Sequence, residues 1–174
     1  LVSGRTVSSP LGSTERASCM KLDEIFLPCE QAGEAEAATK RQVLGAVAAA
    51  FASAHGLDER QVFDILNERE RLGSTAIGDG VAIPHGKLPG LTKLAGCVLR
   101  LQTPADFEAF DDEPVDMVVA LLAPDTGSAE HLRVLARLSR MLRDPQQRAA
   151  LRATPDAESL RQALTFEPEE RNAA

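Results

Sequence analysis

Three side chains combine reactivity with an informative position in this sequence: His85, Arg69 and His131. His85 closes the run Gly78-Asp79-Gly80-Val81-Ala82-Ile83-Pro84-His85 and is followed by Gly86 and Lys87; it is one of only three histidines. An imidazole with an ordinary pKa of about 6.5 can attack phosphorus in its neutral form and later pass the group on. Gly86 offers backbone access, and Lys87 adds local positive charge. Gly78 and Gly80 allow tight turns with positive φ, which would present N–H groups from the loop. The same setting, an imidazole at the end of a short strand, also suits a buried structural histidine. The pattern is not a phosphate-binding Walker loop, because no GxxxxGK[ST] is present, so nucleotide binding gains no support.

Arg69 and His131 are reached through helical periodicity. At about 100° per residue, Val62, Ile65 and Leu66 form an apolar stripe that Arg69 continues, whereas Glu68, Glu70 and Arg71 fall on other faces. Arg69 is then either an arginine snorkelling at the core edge or a planar cationic fork for an anion. His131 falls in the first turn of a helix for which Ser128 is the expected N-cap, and it shares the inward line of Leu135, Leu138 and Leu142. A helix N-terminus favours neutral imidazole and attracts anions. A structural hydrogen bond is the plainer role for such a histidine. His55, before Gly56, reads as a helix C-terminal cap in which a cationic ring is favoured.

The elements that must position these groups are legible from capping and periodicity. Thr39 and Gln42 resemble a capping box, with Val43, Leu44, Val47, Phe51 and Ala54 on one apolar face and Gly56 as terminator. Asp58 starts a second helix that Gly73 ends. Strands are expected at 81–83, at 95–101 and along the nearly unbroken apolar run 115–122, with turns at Pro104, at 111–114 and at Pro124-Asp125. A long helix over 129–143, with Leu132 among its apolar positions, and two short helices after Pro145 and Pro155 complete the chain. The expected fold is a single-domain α/β structure with a mixed β-sheet flanked by helices on both faces. Several strand connections are too short for helical crossovers, so the sheet cannot be all-parallel.

Composition narrows the function. A chain of 174 residues can bury a substantial core, and its net charge of -7 with scattered arginines argues against nucleic-acid binding. No run approaches the roughly 18 apolar residues of a membrane span, so no direct membrane insertion is expected. Cys19, Cys29 and Cys97 lack metal-ligand spacing, and an odd number suits a reducing cytoplasm better than a disulfide framework. Cys97 reads as a small core residue. Residues 1–19, rich in Ser, Thr and Gly, read as a vector-derived or disordered leader before Met20, and 167–174 as a polar tail. Neither a metal nor a cofactor is called for.

The stretch Arg69-Glu70-Arg71-Leu72-Gly73-Ser74-Thr75-Ala76-Ile77-Gly78-Asp79-Gly80-Val81-Ala82-Ile83-Pro84-His85-Gly86-Lys87 resembles the signature of the mannitol/fructose-type enzyme IIA domains of the bacterial phosphoenolpyruvate-dependent phosphotransferase system. Pro114-Val115-Asp116 and Glu130-His131-Leu132 are similar to the same family further along, so the likeness spans about residues 20–164 and implies an enzyme IIA domain over 20–166. The form of the glycine-rich segment most resembles the nitrogen-type regulatory branch. The resemblance implies a phosphocarrier in which His85 accepts the phosphoryl group, Arg69 lies near the phosphate and His131 lines the site. It also implies a donor, a phosphorylated HPr-like carrier protein charged by enzyme I and phosphoenolpyruvate; the regulated targets stay unidentified. The alternatives are a sugar-specific enzyme IIA that serves a membrane permease and a non-catalytic binding module that retains the motif.

Overall fold

In the computed structural model, residues 20–28, 34–126 and 129–166 are described. The expected leader 1–19, Cys29, the expected N-cap Ser128 and the expected polar tail 167–174 lie outside the described residues. The elements run α1 (Leu22–Ile25), β1 (Glu34–Ala35), α2 (Lys40–His55), α3 (Glu59–Arg71), β2 (Ala76–Gly78), β3 (Val81–Ala82), β4 (His85–Leu88), β5 (Ala95–Ala105), β6 (Val115–Pro124), α4 (Ala129–Arg143), α5 (Pro145–Arg152) and α6 (Ala157–Thr165).

The helix boundaries follow local chemistry. Thr39 accepts the Gln42 amide through its side chain, and Gln42 reaches back to the Ala38 N–H, one residue before the cap. Gly56 ends α2 in the left-handed conformation, with its N–H on the Ala52 carbonyl. Asp58 caps α3, Asp144 caps α5 ahead of Pro145, and Asp156 caps α6, each through a carboxylate oxygen on a first-turn amide. Such caps each contribute about 1 kcal/mol.

The sheet is mixed and centres on β6, in the order β1-β5-β6-β3-β2. β6 pairs antiparallel with β5 along most of its length, and its other edge is shared by β3 near its start and β4 near its end, both parallel. Alternation along β6 explains why its sequence is apolar from Met117 to Ala123. Val118, Ala120 and Leu122 enter a core with α2 and α3, while Met117, Val119, Leu121 and Ala123 enter a second core with α1, α4, α5 and α6. Helices therefore cover both faces, as expected for the α/β reading.

Two local expectations are corrected. Pro104 lies within β5 instead of marking a turn; it falls where the β5–β6 register shifts between Arg100 and Ala105, a place where a missing N–H is tolerated. His85 begins a strand instead of ending one. β4 has little apolar alternation of its own and owes its extended form to backbone pairing with Leu121 to Pro124 of β6.

Candidate functional site

His85 is placed by three neighbours. The preceding Pro84 cannot donate to a ladder, but its carbonyl accepts the Leu121 N–H, so the chain is fixed to β6 just before the histidine. Inside the ring, Nδ1 lies 2.8 Å from the Ile83 carbonyl oxygen. A carbonyl only accepts, so Nδ1 carries the proton and Nε2 retains the lone pair. On the helix side, Gly86 abuts α3: a Cβ there would meet Ile65 Cγ2 at 2.6 Å. The glycine next to the imidazole thus serves close helix–strand packing more directly than open backbone access.

That packing brings Arg69 to the same cavity, one turn beyond Ile65 on α3. The space is about 720 Å³ and is lined by Ile65, Glu68, Arg69, Arg71, Leu72, His85, Gly86, Lys87 and His131. Arg69 Nη1 donates to the Gly73 carbonyl at 3.0 Å, which curls the guanidinium back over the end of its helix. His131 enters from the first turn of α4, is buried, and meets His85 edge-on with ring centroids 6.1 Å apart. The three residues singled out in the sequence are therefore brought together, from α3, β4 and α4. Lys87 joins them at the exposed edge.

The electrostatics favour neutral rings. Burial pushes the pKa of His85 below its ordinary value; the Arg69 charge adds to this, while the Ile83 carbonyl and the Glu70 carboxylate oppose it. His131 is lowered by burial first and then by His85 and Lys87. Neutral imidazole at physiological pH is the form a nucleophile requires. Leu72, 85% exposed, lines the cavity beside the charged Glu68, Arg69, Arg71 and Lys87, and Leu132 on α4 is 69% exposed. Leu132 was expected on the buried face of its helix, but that face is taken by His131, Val134, Leu138 and Leu142.

Other expectations change. The turn at Gly78-Asp79-Gly80 has positive φ throughout, yet none of its residues lines the cavity. Its Asp79 N–H donates to Asp111, and Arg152 holds the Asp79 carbonyl and both Asp116 oxygens. His55 does not act as a cationic cap; its Nε2–H donates to the Gly96 carbonyl at 2.9 Å, and burial lowers its pKa. Glu70, read as pointing to another face, is 5% exposed and accepts both the backbone N–H and the hydroxyl of Thr75. The signal for it was the i, i+4 line Val62, Leu66, Glu70, which is the stripe that the fold buries. Ser74 is half-buried, its hydroxyl donating to the Phe107 carbonyl.

Among the described residues no group of three His, Cys, Asp or Glu is arranged to hold a metal ion, and no helix is long and apolar enough to cross a membrane.

Known proteins resemble this chain in sequence and fold. Residues 31–166 match the family described as "Phosphoenolpyruvate-dependent sugar phosphotransferase system, EIIA 2". A "Nitrogen regulatory protein" of Bradyrhizobium diazoefficiens is 49% identical over 130 residues, covering 75% of this chain and 85% of that protein. One of the same name from Pseudomonas aeruginosa is 37% identical over 146 residues, covering 83% and 95%. The crystal structure of nitrogen regulatory protein IIA-Ntr from Neisseria meningitidis superposes with a TM-score of 0.71 at 33% identity, over 83% of this chain and 94% of that one. With a family match across most of its length and a mixed sheet of the same kind, the chain belongs to the EIIA 2 family of the phosphoenolpyruvate-dependent phosphotransferase system.

Proposed function

We propose that this protein is a phosphocarrier whose His85 accepts a phosphoryl group from a phosphorylated HPr-like protein, and that it acts as a nitrogen-type regulatory enzyme IIA. The observation that carries the reading is the convergence of a neutral imidazole, a guanidinium and a second imidazole on one cavity. Nδ1–H is held by Ile83, so Nε2 is the nucleophile. Its lone pair forms the new N–P bond while the donor's N–P bond breaks and that electron pair returns to the donor ring. Arg69 neutralises charge on the equatorial oxygens, and His131 orients the group from the N-terminal turn of α4. Such transfer consists of positioning and electrostatics, with no metal or nucleotide required of this chain.

The regulatory branch is supported by the names of the relatives at 49% and 37% identity. A phosphoryl group on His85 would add about −1.5 to −2 charges, on the phosphoserine scale, to a face now rimmed by leucine and arginine. That change would alter which protein docks there. The test is incubation with enzyme I, the HPr-like carrier and labelled phosphoenolpyruvate. An acid-labile, base-stable phosphate is expected on the wild type and none on His85→Ala; persistent labelling of the variant refutes the acceptor. Onward transfer to a permease component would favour a sugar-specific enzyme IIA over the regulatory branch.

A further inference from the structure

Glu70 is an anomaly in this fold. A carboxylate in the last turn of a helix faces the negative end of the dipole, and burial adds desolvation cost, yet Glu70 is 5% exposed there. Its oxygens are occupied: the Thr75 N–H donates at 3.1 Å to Oε1 and 3.3 Å to Oε2, the Thr75 hydroxyl donates at 2.5 Å, and Lys40 Nζ stands 3.3 Å away. Charge-assisted bonds of this kind fix geometry more firmly than neutral ones.

What they fix is Thr75, and Thr75 is tied to the reactive ring. The Thr75 carbonyl accepts the Ile83 N–H at 3.0 Å, and the Ile83 carbonyl accepts His85 Nδ1–H at 2.8 Å. Downstream of Ile83 the chain is pinned again, by Leu121 N–H on the Pro84 carbonyl at 2.9 Å. The peptide that orients the imidazole is thus held from both sides, once by β6 and once by a buried carboxylate on α3.

We propose that Glu70 is a positioning residue for phosphoryl acceptance, acting through Thr75 and Ile83 to hold His85 with its proton on Nδ1 and its lone pair on Nε2. The inference rests on the acceptor reading of His85. As Nε2 bonds phosphorus and the donor's N–P bond breaks, His85 keeps its Nδ1 proton and its ring gains positive charge. A fixed Ile83 carbonyl and a nearby anion both stabilise that ring, whereas a wandering carbonyl would allow the other tautomer, whose Nε2 has no lone pair to offer. Arg69 and Glu70, adjacent on α3, divide the work: one meets the incoming phosphoryl oxygens and the other steadies the imidazole from behind.

The experiment compares wild type with Glu70→Gln, Thr75→Val and Thr75→Ser. It measures single-turnover transfer from the phosphorylated HPr-like carrier, ¹⁵N shifts of the His85 ring and thermal melting. Glu70→Gln is expected to slow transfer by about tenfold or more and to give a mixed tautomer signal while still folded. Thr75→Val should lose part of the rate, and Thr75→Ser, which keeps both donors, should restore most of it. If Glu70→Gln does not fold, the Thr75 pair decides by the same rate and ring measurements. A wild-type rate, or a slowed rate with an unchanged Nδ1–H signal, overturns the proposal. A wild type that takes no phosphoryl group refutes the acceptor reading itself, whereas wild-type transfer that survives Glu70→Gln refutes the positioning role alone.

Discussion

Two arginine-bearing ends of the same motif are built in opposite ways. At the Gly78–Gly80 turn, Arg152 grips both carboxylate oxygens of Asp116 and the Asp79 carbonyl, and Arg148 pairs with Asp79 while donating to the Leu142 and Arg143 carbonyls. At the His85 end, Arg69 meets one carbonyl and, among the described residues, forms no ion pair, although a cavity opens beside it. Cations matched by carboxylates hold a fold together. On the proposed function, the cation left facing a cavity beside a neutral imidazole is there for an anion that arrives from outside.

Alanine at each arginine is the sharpest way to break this contrast. Arg69→Ala should slow phosphoryl transfer to His85 by about 10²-fold with little change in melting. Arg152→Ala should do the reverse, costing about 1–3 kcal/mol of stability because Asp116 loses its partner, with transfer of the folded fraction near wild type. Equal effects of the two on both transfer kinetics and denaturation would erase the distinction. His131→Ala comes next, with transfer about tenfold slower in the same single-turnover measurement. An unchanged rate would make His131 a purely structural partner of the cavity.

Gly86→Ala tests whether the cavity end depends on helix packing. A Cβ would stand 2.6 Å from Ile65 Cγ2, so the Ile65 side chain or α3 with it must shift, at about 1–3 kcal/mol by urea denaturation. Since Arg69 rides on that helix, transfer should also slow. A variant with wild-type stability would show that Ile65 can move aside freely.

Acid gives the smallest expected effect. His85, His131 and His55 all have folded pKa values below the ordinary 6.5, so between those values and 6.5 the unfolded chain binds more protons. The associated stability is fully present above 6.5 and is lost as pH falls through the lowered folded values. Phosphoryl acceptance, measured against pH, should hold steady through 6.5 and decline only below it. A rate that already falls by half at 6.5 would contradict a buried, neutral His85.

Much of the scaffold could be read in one dimension. Thr39, Asp58 and Gly56 announce their helix ends because a cap is a local bond between neighbours in sequence. The nearly unbroken apolar run of β6 announces a strand buried on both faces. Glu70 could not be read the same way. Stripe membership alone does not distinguish Arg69 from Glu70, since both continue plausible apolar lines, and only the packed loop at Thr75 decides which side chain is buried. Pro104 misled for a related reason: a proline is a turn signal unless the neighbouring strand slips register beside it.

The sequence by itself determined the candidate trio, the caps at Thr39, Asp58 and Gly56, and the family, because these rest on residue types and short spacings. Tertiary structure decided which nitrogen of His85 holds the proton, why Gly86 must lack a side chain, and why the glycine turn serves Asp111 and Arg152 instead of the cavity. Those outcomes depend on partners distant in the chain, Ile65 against Gly86 and Leu121 against Pro84, whose approach is set by sheet pairing and helix packing. No local pattern encodes a distance that only the folded chain creates.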